Sequence, residues 1–282
     1  MTETKVNQID RIVFTALKDS KSLGVFPTPI DRLIKYANLR ENNKVDLNQF
    51  SRNSNSKSIV AGTDLPNIRG VLDRERKLIY IDSRLPDIKK RFVRLHEVGH
   101  ELCPWQGNFL KYLDDDDTLN PDISSGFEAE ANYFASASLF QQDYFTEHMG
   151  TLPLKLKSAV ALAKMFGASI HASLRRMVET NDKRCALLIL TVDRESTFWL
   201  PRLGVKNYFQ SKAFTTEFGT VKWSSPLELD IEFVRDYISK RKFFTSTLFQ
   251  KIGGKDLQFG YDYFDNKYNI FILLYPIGEN KL

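Results

Sequence analysis

His96-Glu97-Val98-Gly99-His100 constrains this chain more than any other stretch, because it is an H-E-x-x-H motif set inside a helical pattern. Pro86 precedes and Pro104 follows a segment in which Ile88, Phe92, Val93, Leu95, Val98 and Leu102 recur at helical spacing. Positions i and i+4 of a helix share a face, so His96 and His100 converge on one point, as two ligands of one metal ion must. Glu97 is offset to reach a water molecule at that ion. Two of the 4 histidines in the chain fall in these five residues. The ordinary alternative is a pair of hydrogen-bonded histidines on a structural helix.

A catalytic zinc takes three protein ligands and keeps a fourth position open. The extended form H-E-x-x-H-x-x-G-x-x-H is absent here: Cys103 stands at the glycine and Gln106 at the third histidine. The third ligand must therefore come from another element. A second helical pattern, starting near Ser124 or Ser125 and carrying Phe127, Ala131, Phe134, Ala135 and Leu139, offers Glu128 and Glu130. These point about 200° apart around a helix of 3.6 residues per turn, so both cannot serve. Glu128 is the choice. Asn132 stands one turn further on the same face, able to accept a hydrogen bond from the far nitrogen of a ligating histidine, and the small Ala131 and Ala135 let a neighbouring helix approach. Ser125-Gly126-Phe127-Glu128 also fits a capping box, in which Glu128 would only turn back to the helix start.

The rest of the chain supplies a scaffold of mixed α+β type. Thr28-Pro29-Ile30-Asp31 opens a helix of about ten residues, with proline at its first position. Residues 41–58, rich in Asn and Ser, read as a loop, and strands are expected at 59–61, 68–72 and 78–81, the last two joined as a hairpin. Two helices, about 154–166 and 169–180, meet at Gly167-Ala168-Ser169, with Ser169 suited to cap the second. Beyond Cys185 the texture changes, since 19 of the 35 aromatic residues lie in the last 97 positions, among strand-like runs interrupted by one amphipathic helix at about 227–239. The domain division expected is 1–150 for the metal-binding part, 151–184 for a helical hairpin and 185–282 for a mostly β, aromatic-rich domain that serves as sensor or substrate-binding module.

At this point the residues resemble the ImmA/IrrE metallo-endopeptidases, regulatory proteases of the bacterial cytoplasm and of mobile elements. The resemblance covers about residues 25–180. It rests on Gly70-Val71-Leu72-Asp73 with Ile79-Tyr80-Ile81-Asp82, on Arg91-Phe92-Val93-Arg94-Leu95 leading into the motif, and on Glu128-Ala129-Glu130-Ala131-Asn132-Tyr133-Phe134-Ala135. It implies a zincin-like fold, a small antiparallel sheet with the motif helix and a second ligand helix. His96, His100 and Glu128 would be the metal ligands and Glu97 the catalytic glutamate. It also implies a protein substrate, a helix-turn-helix repressor whose cleavage switches on gene expression. After Ala135 the family usually reads leucine, methionine, proline, whereas this chain has Leu139-Phe140-Gln141-Gln142, which changes how the helix ends.

Zinc is the expected ion, with manganese an alternative that the same donors accept. Tyr144, His148 and His171 are the candidates for stabilising the oxyanion. Residues 163–176 also read as a helix-turn-helix with Ser169, His171 and Arg175 facing DNA, which sets up the rival function of a transcription regulator with a structural metal. A net charge of +5, split +3 up to Cys185 and +2 beyond, offers no basic arm to support it. Asp114–Asp117 lack the alternation of a calcium loop and read as a solvated loop. Cys103 and Cys185 are too few for a disulfide framework, and with a polar start and no long apolar run they place the protein in the cytoplasm. Cys103 reads as a small buried residue or as a redox-sensitive neighbour of the metal.

Overall fold

The computed structural model describes residues 1–47, 69–107, 121–193, 202–227, 231–239, 243–252 and 255–277. The strand expected at 59–61 and the four aspartates at 114–117 lie outside the described residues. The contacts divide the chain into two compact units, one formed by Met1–Tyr144 with Lys164–Ser169 and the other by Phe145–Ala163 with Ile170–Leu282.

The first unit begins with a helix the sequence reading did not include, α1 (Glu3–Asp19). Thr2 caps it by accepting from the Lys5 amide, and Ile9, Val13, Ala16 and Leu17 form the buried stripe expected of an amphipathic helix. Helix α2 (Ile30–Tyr36) is shorter than expected, and Pro29 is its N-cap rather than its first residue. The segment from Glu41 was expected as a loop, yet Arg40–Val45 is strand β1. Its polar side chains show no alternation. Partner backbone defines it instead, since the strand runs parallel to β3 (Leu78–Asp82). Strand β2 (Gly70–Asp73) pairs antiparallel with β3 as the hairpin pattern predicts, which gives a mixed sheet ordered β1-β3-β2.

Helices α3 (Asp87–Leu102) and α4 (Pro121–Phe140) pack side by side, α3 against β2 and β3 and α4 against α1. Their closeness has a local cause. A Cβ built on Gly99 would stand 3.0 Å from both Cβ and Cδ1 of Phe134, so the helices meet where one of them has no side chain. Gly99→Val should cost about 1–3 kcal/mol by overpacking. Chemical denaturation would read this, and an unchanged midpoint would show that the contact is not tight.

The end of α4 shows what the Gln141-Gln142 departure does. Both residues have positive φ, 46° and 34°, which breaks the helix after Phe140. The buried Gln141 amide accepts from the Gly24 amide at 2.7 Å. It donates to the Ser22 and Val25 carbonyls at 3.1 Å each and to the Thr28 hydroxyl at 3.0 Å. Arg91 of α3 adds a second tie, donating to the Thr28 and Gly167 carbonyls at 2.9 and 3.0 Å.

The second unit carries α5 (Asp143–Gly150), most of α6 (Leu156–Phe166), α7 (Ile170–Glu179) and a five-stranded antiparallel sheet. Its strands are β4 (Ala186–Asp193), β5 (Arg202–Gln210), β6 (Phe243–Ile252), β7 (Lys255–Asp265) and β8 (Ile270–Pro276), in the order β5-β4-β8-β7-β6. On one face Leu188, Leu190, Tyr261, Tyr263, Ile270 and Ile272 bury against α8 (Lys212–Phe218) and α9 (Glu232–Ile238) through Phe214, Phe233 and Val234. Helix α8 adds a second interruption to the one expected, capped by Ser211, which accepts from the Phe214 amide at 3.1 Å. Of the helix expected at 227–239, the described residues show Glu232–Ile238 as α9. On the other face the buried Asp262 accepts from Thr245, Tyr275 and the Leu156 amide at 2.8, 2.9 and 3.0 Å, which ties α6 to β7.

Candidate metal centre

Helix α3 delivers both histidines on one face, and α4 brings a carboxylate to them. His96 Nε2 and His100 Nε2 stand 3.0 Å apart. Glu128 Oε2 is 3.2 Å from the first and its Oε1 is 3.2 Å from the second. Among the described residues these three form a convergent donor group able to hold a metal ion. A tetrahedral zinc with bonds of about 2.0–2.1 Å separates its ligand atoms by about 3.3–3.4 Å, so the triangle needs to open by only a few tenths of an ångström. Two imidazoles and one carboxylate suit zinc and do not refuse manganese.

The far nitrogens are occupied in the way metal-binding histidines require. Asn132 Oδ1 lies 3.1 Å from His96 Nδ1, and Gln106 Oε1 lies 2.8 Å from His100 Nδ1. Amide oxygens only accept, so each Nδ1 donates and each Nε2 is the nitrogen left for an ion at the shared point. Asn132 is therefore where helical spacing places it. The Gln106 contact was missed. The signal was present, because Gln106 occupies the third-histidine position of the extended motif and so arrives beside His100.

The capping alternative for Glu128 fails. Helix α4 starts at Pro121, so Ser125 lies within the helix rather than at its N-cap. Glu130 turns the other way, is buried, and accepts from Trp105 Nε1 at 2.7 Å and Gln106 Nε2 at 2.8 Å. Hydrogen bonds from His100 and His96 hold the Glu128 carboxyl far below the usual carboxylate range, so it is ionised at any working pH. Burial alone would lower the His100 pKa, but the Glu128 hydrogen bond, the Glu97 charge and Gln106 together raise it.

Glu97 is 5% exposed. Burial raises its pKa, reinforced by Glu128 and opposed by the two histidines, which is the environment of a carboxyl that takes up a proton readily. Strand β2 passes directly over it: a Cβ on Gly70 would stand 2.5 Å from Glu97 Oε1 and 2.6 Å from Val93 Cγ1. Arg74, on the β2–β3 hairpin, donates to the His100 carbonyl, while its buried Nη1 has no hydrogen-bond partner among the described residues.

Other candidates have different surroundings. The Tyr144 ring meets Phe26 edge-on at 5.5 Å, with its hydroxyl close to Gly24. His148 lies in the last turn of α5, in the second unit. His171 sits 6.5 Å from Phe209 and 6.4 Å from Phe271, and Arg175 lies 4.9 Å over Phe209 while pairing with Glu179. The α7 side chains that a recognition helix would offer to DNA thus pack in part on β5 and β8. Burial pushes the Cys103 thiol up to about 12, so it is a protonated packing group and not a reactive thiolate.

Residues 59–178 match the peptidase M78 model described as the IrrE N-terminal-like domain. His96, Glu97, His100 and Glu128 all lie within it. No curated protein matches the chain. Among solved structures, a Mycobacterium tuberculosis transcriptional regulator is similar at 14% identity and a TM-score of 0.45, over 94% of this chain and 80% of that one. No helix among the described residues is long and apolar enough to cross a membrane.

Proposed function

We propose that the protein is a zinc-dependent endopeptidase of the cytoplasm that cleaves a helix-turn-helix repressor and so switches on gene expression. The observation that carries this reading is the triangle of His96 Nε2, His100 Nε2 and a Glu128 carboxylate oxygen, with the buried Glu97 beside it, inside an M78 domain. His96, His100 and Glu128 hold the ion, and Asn132 fixes the ring of His96. The chemistry zinc supplies when bound is Lewis acidity, which acidifies water and polarises a scissile carbonyl. Glu97 takes the proton from the attacking water and hands it to the leaving amine, a transfer its raised pKa favours.

Strand β2 supports a mode of substrate binding. It lies at the edge of the described three-stranded sheet, and Gly70 puts its backbone against Glu97. An extended segment that adds to β2 through main-chain hydrogen bonds would run past the glutamate. The test is to incubate the zinc-loaded protein with the repressor encoded beside it and to map products by mass spectrometry. A single defined cut is expected. An intact repressor, together with no difference in cellular N-termini between cells carrying wild type and Glu97→Gln, overturns the proposal.

A further inference from the structure

Gln106 and Glu130 form a buried device outside the ligand set. Gln106 is 1% exposed, and both of its amide hydrogens have acceptors: Glu130 Oε2 at 2.8 Å and the Phe127 carbonyl at 3.4 Å. An ionised carboxylate cannot donate, so it dictates which end of the amide faces it. The amide nitrogen must point to Glu130, and the oxygen is thereby turned to His100 Nδ1 at 2.8 Å. Glu130 is itself pinned by Trp105 Nε1 at 2.7 Å and by Lys5 Nζ at 3.7 Å, and the Lys5 ammonium also lies 3.8 Å over the Trp105 ring. The arrangement reaches from α1, through the helical turn at 104–107, to the metal helix.

We infer that Gln106 is a positioning residue for the metal centre and that Glu130, oriented by Trp105 and Lys5, sets its amide so that His100 presents a bare Nε2 to the ion. The inference rests on the metal-site reading above. The second glutamate of the Glu128-Ala129-Glu130 run then acts through Gln106 and not on the ion. Asn132 does the same work for His96 in a more exposed setting, and among the described residues no carboxylate hydrogen-bonds to its amide. The buried half of the site is therefore the more strongly preorganised half.

The test is zinc affinity of the full-length protein, measured by competition with a chromophoric chelator, with the melting of each metal-free variant recorded alongside. Gln106→Leu removes the acceptor at similar volume and should weaken binding about 10- to 100-fold. Glu130→Gln keeps an acceptor for Trp105 but no longer dictates the amide, and should weaken it by less than about tenfold. The decisive variant is the exchange, Gln106→Glu with Glu130→Gln. The carboxylate then faces His100, the new amide donates to it and still accepts from Trp105, and affinity should return to within a few-fold of wild type. If Gln106→Leu does not fold, Gln106→Asn, whose shorter side chain falls short of His100, takes its place. Wild-type affinity in a folded Gln106→Leu or Gln106→Asn protein overturns the inference, as does an exchange variant no better than that single variant. Failure of the wild-type protein to bind zinc overturns the metal site itself, and the relay with it.

Discussion

Glu97→Gln is expected to leave a folded protein that binds one zinc per chain and has lost cleavage by about 10²–10⁴-fold, the usual worth of a positioned general acid–base group. Glutamine has the shape of glutamate, so the buried space beside Gly70 and Val93 stays filled. What it lacks is the ability to carry a proton. Burial opposes ionisation of Glu97 in the wild type, so removing the charge should not lower stability, and the metal-free variant should melt at or above the wild-type temperature. Zinc content, melting and repressor cleavage measured on the same preparations decide the matter. Cleavage within tenfold of wild type would show that the proton passes through another group.

Glu128→Gln is expected to lose zinc, with affinity falling by well over the roughly 100-fold upper range of a supporting hydrogen-bond partner. The variant keeps the shape of the side chain that now lies 3.2 Å from each Nε2, but replaces an anionic ligand by a neutral one. Had the residue only capped its helix, glutamine would serve as well and the loss would be about 1 kcal/mol of stability or less. Glu130→Gln is the control, and it should retain its zinc through dialysis against a weak chelator. A full equivalent in Glu128→Gln together with loss in Glu130→Gln would move the ligand to Glu130.

The convergence of the candidate ligands was legible because helical periodicity alone determines most of it. The i, i+4 spacing put His96 and His100 together, and the same period separated Glu128 from Glu130 and set Asn132 beside the first. What escaped depends on chain reversals. Gln106 reaches His100 because the chain turns after Pro104, and its place in the extended motif is the one sequence signal of that. Strand β1 was missed because Arg40–Val45 has the composition of a loop and is held by the backbone of a strand over thirty residues away. Helix α1 is a different case: its 9, 13, 16, 17 stripe has the spacing of a buried helix face in the sequence itself. In the second unit α8 is a seven-residue helix between strands, too short for its periodicity to stand out from the aromatic residues around it.

The amide of Gln141 has a consequence for where the working unit begins. The family match starts at residue 59, but four of the groups that satisfy this buried side chain belong to residues 22–28. Tyr133 of α4 likewise donates to Asp10 at 2.9 Å, and Lys5 leans on Glu130. A chain trimmed to the matched segment would lose these partners and expose to water the apolar surface of α3 and α4 that α1 and α2 cover. The first thirty residues are thus a structural wall of the first unit, and any minimal version of the metal-site domain has to carry that wall or rebuild it.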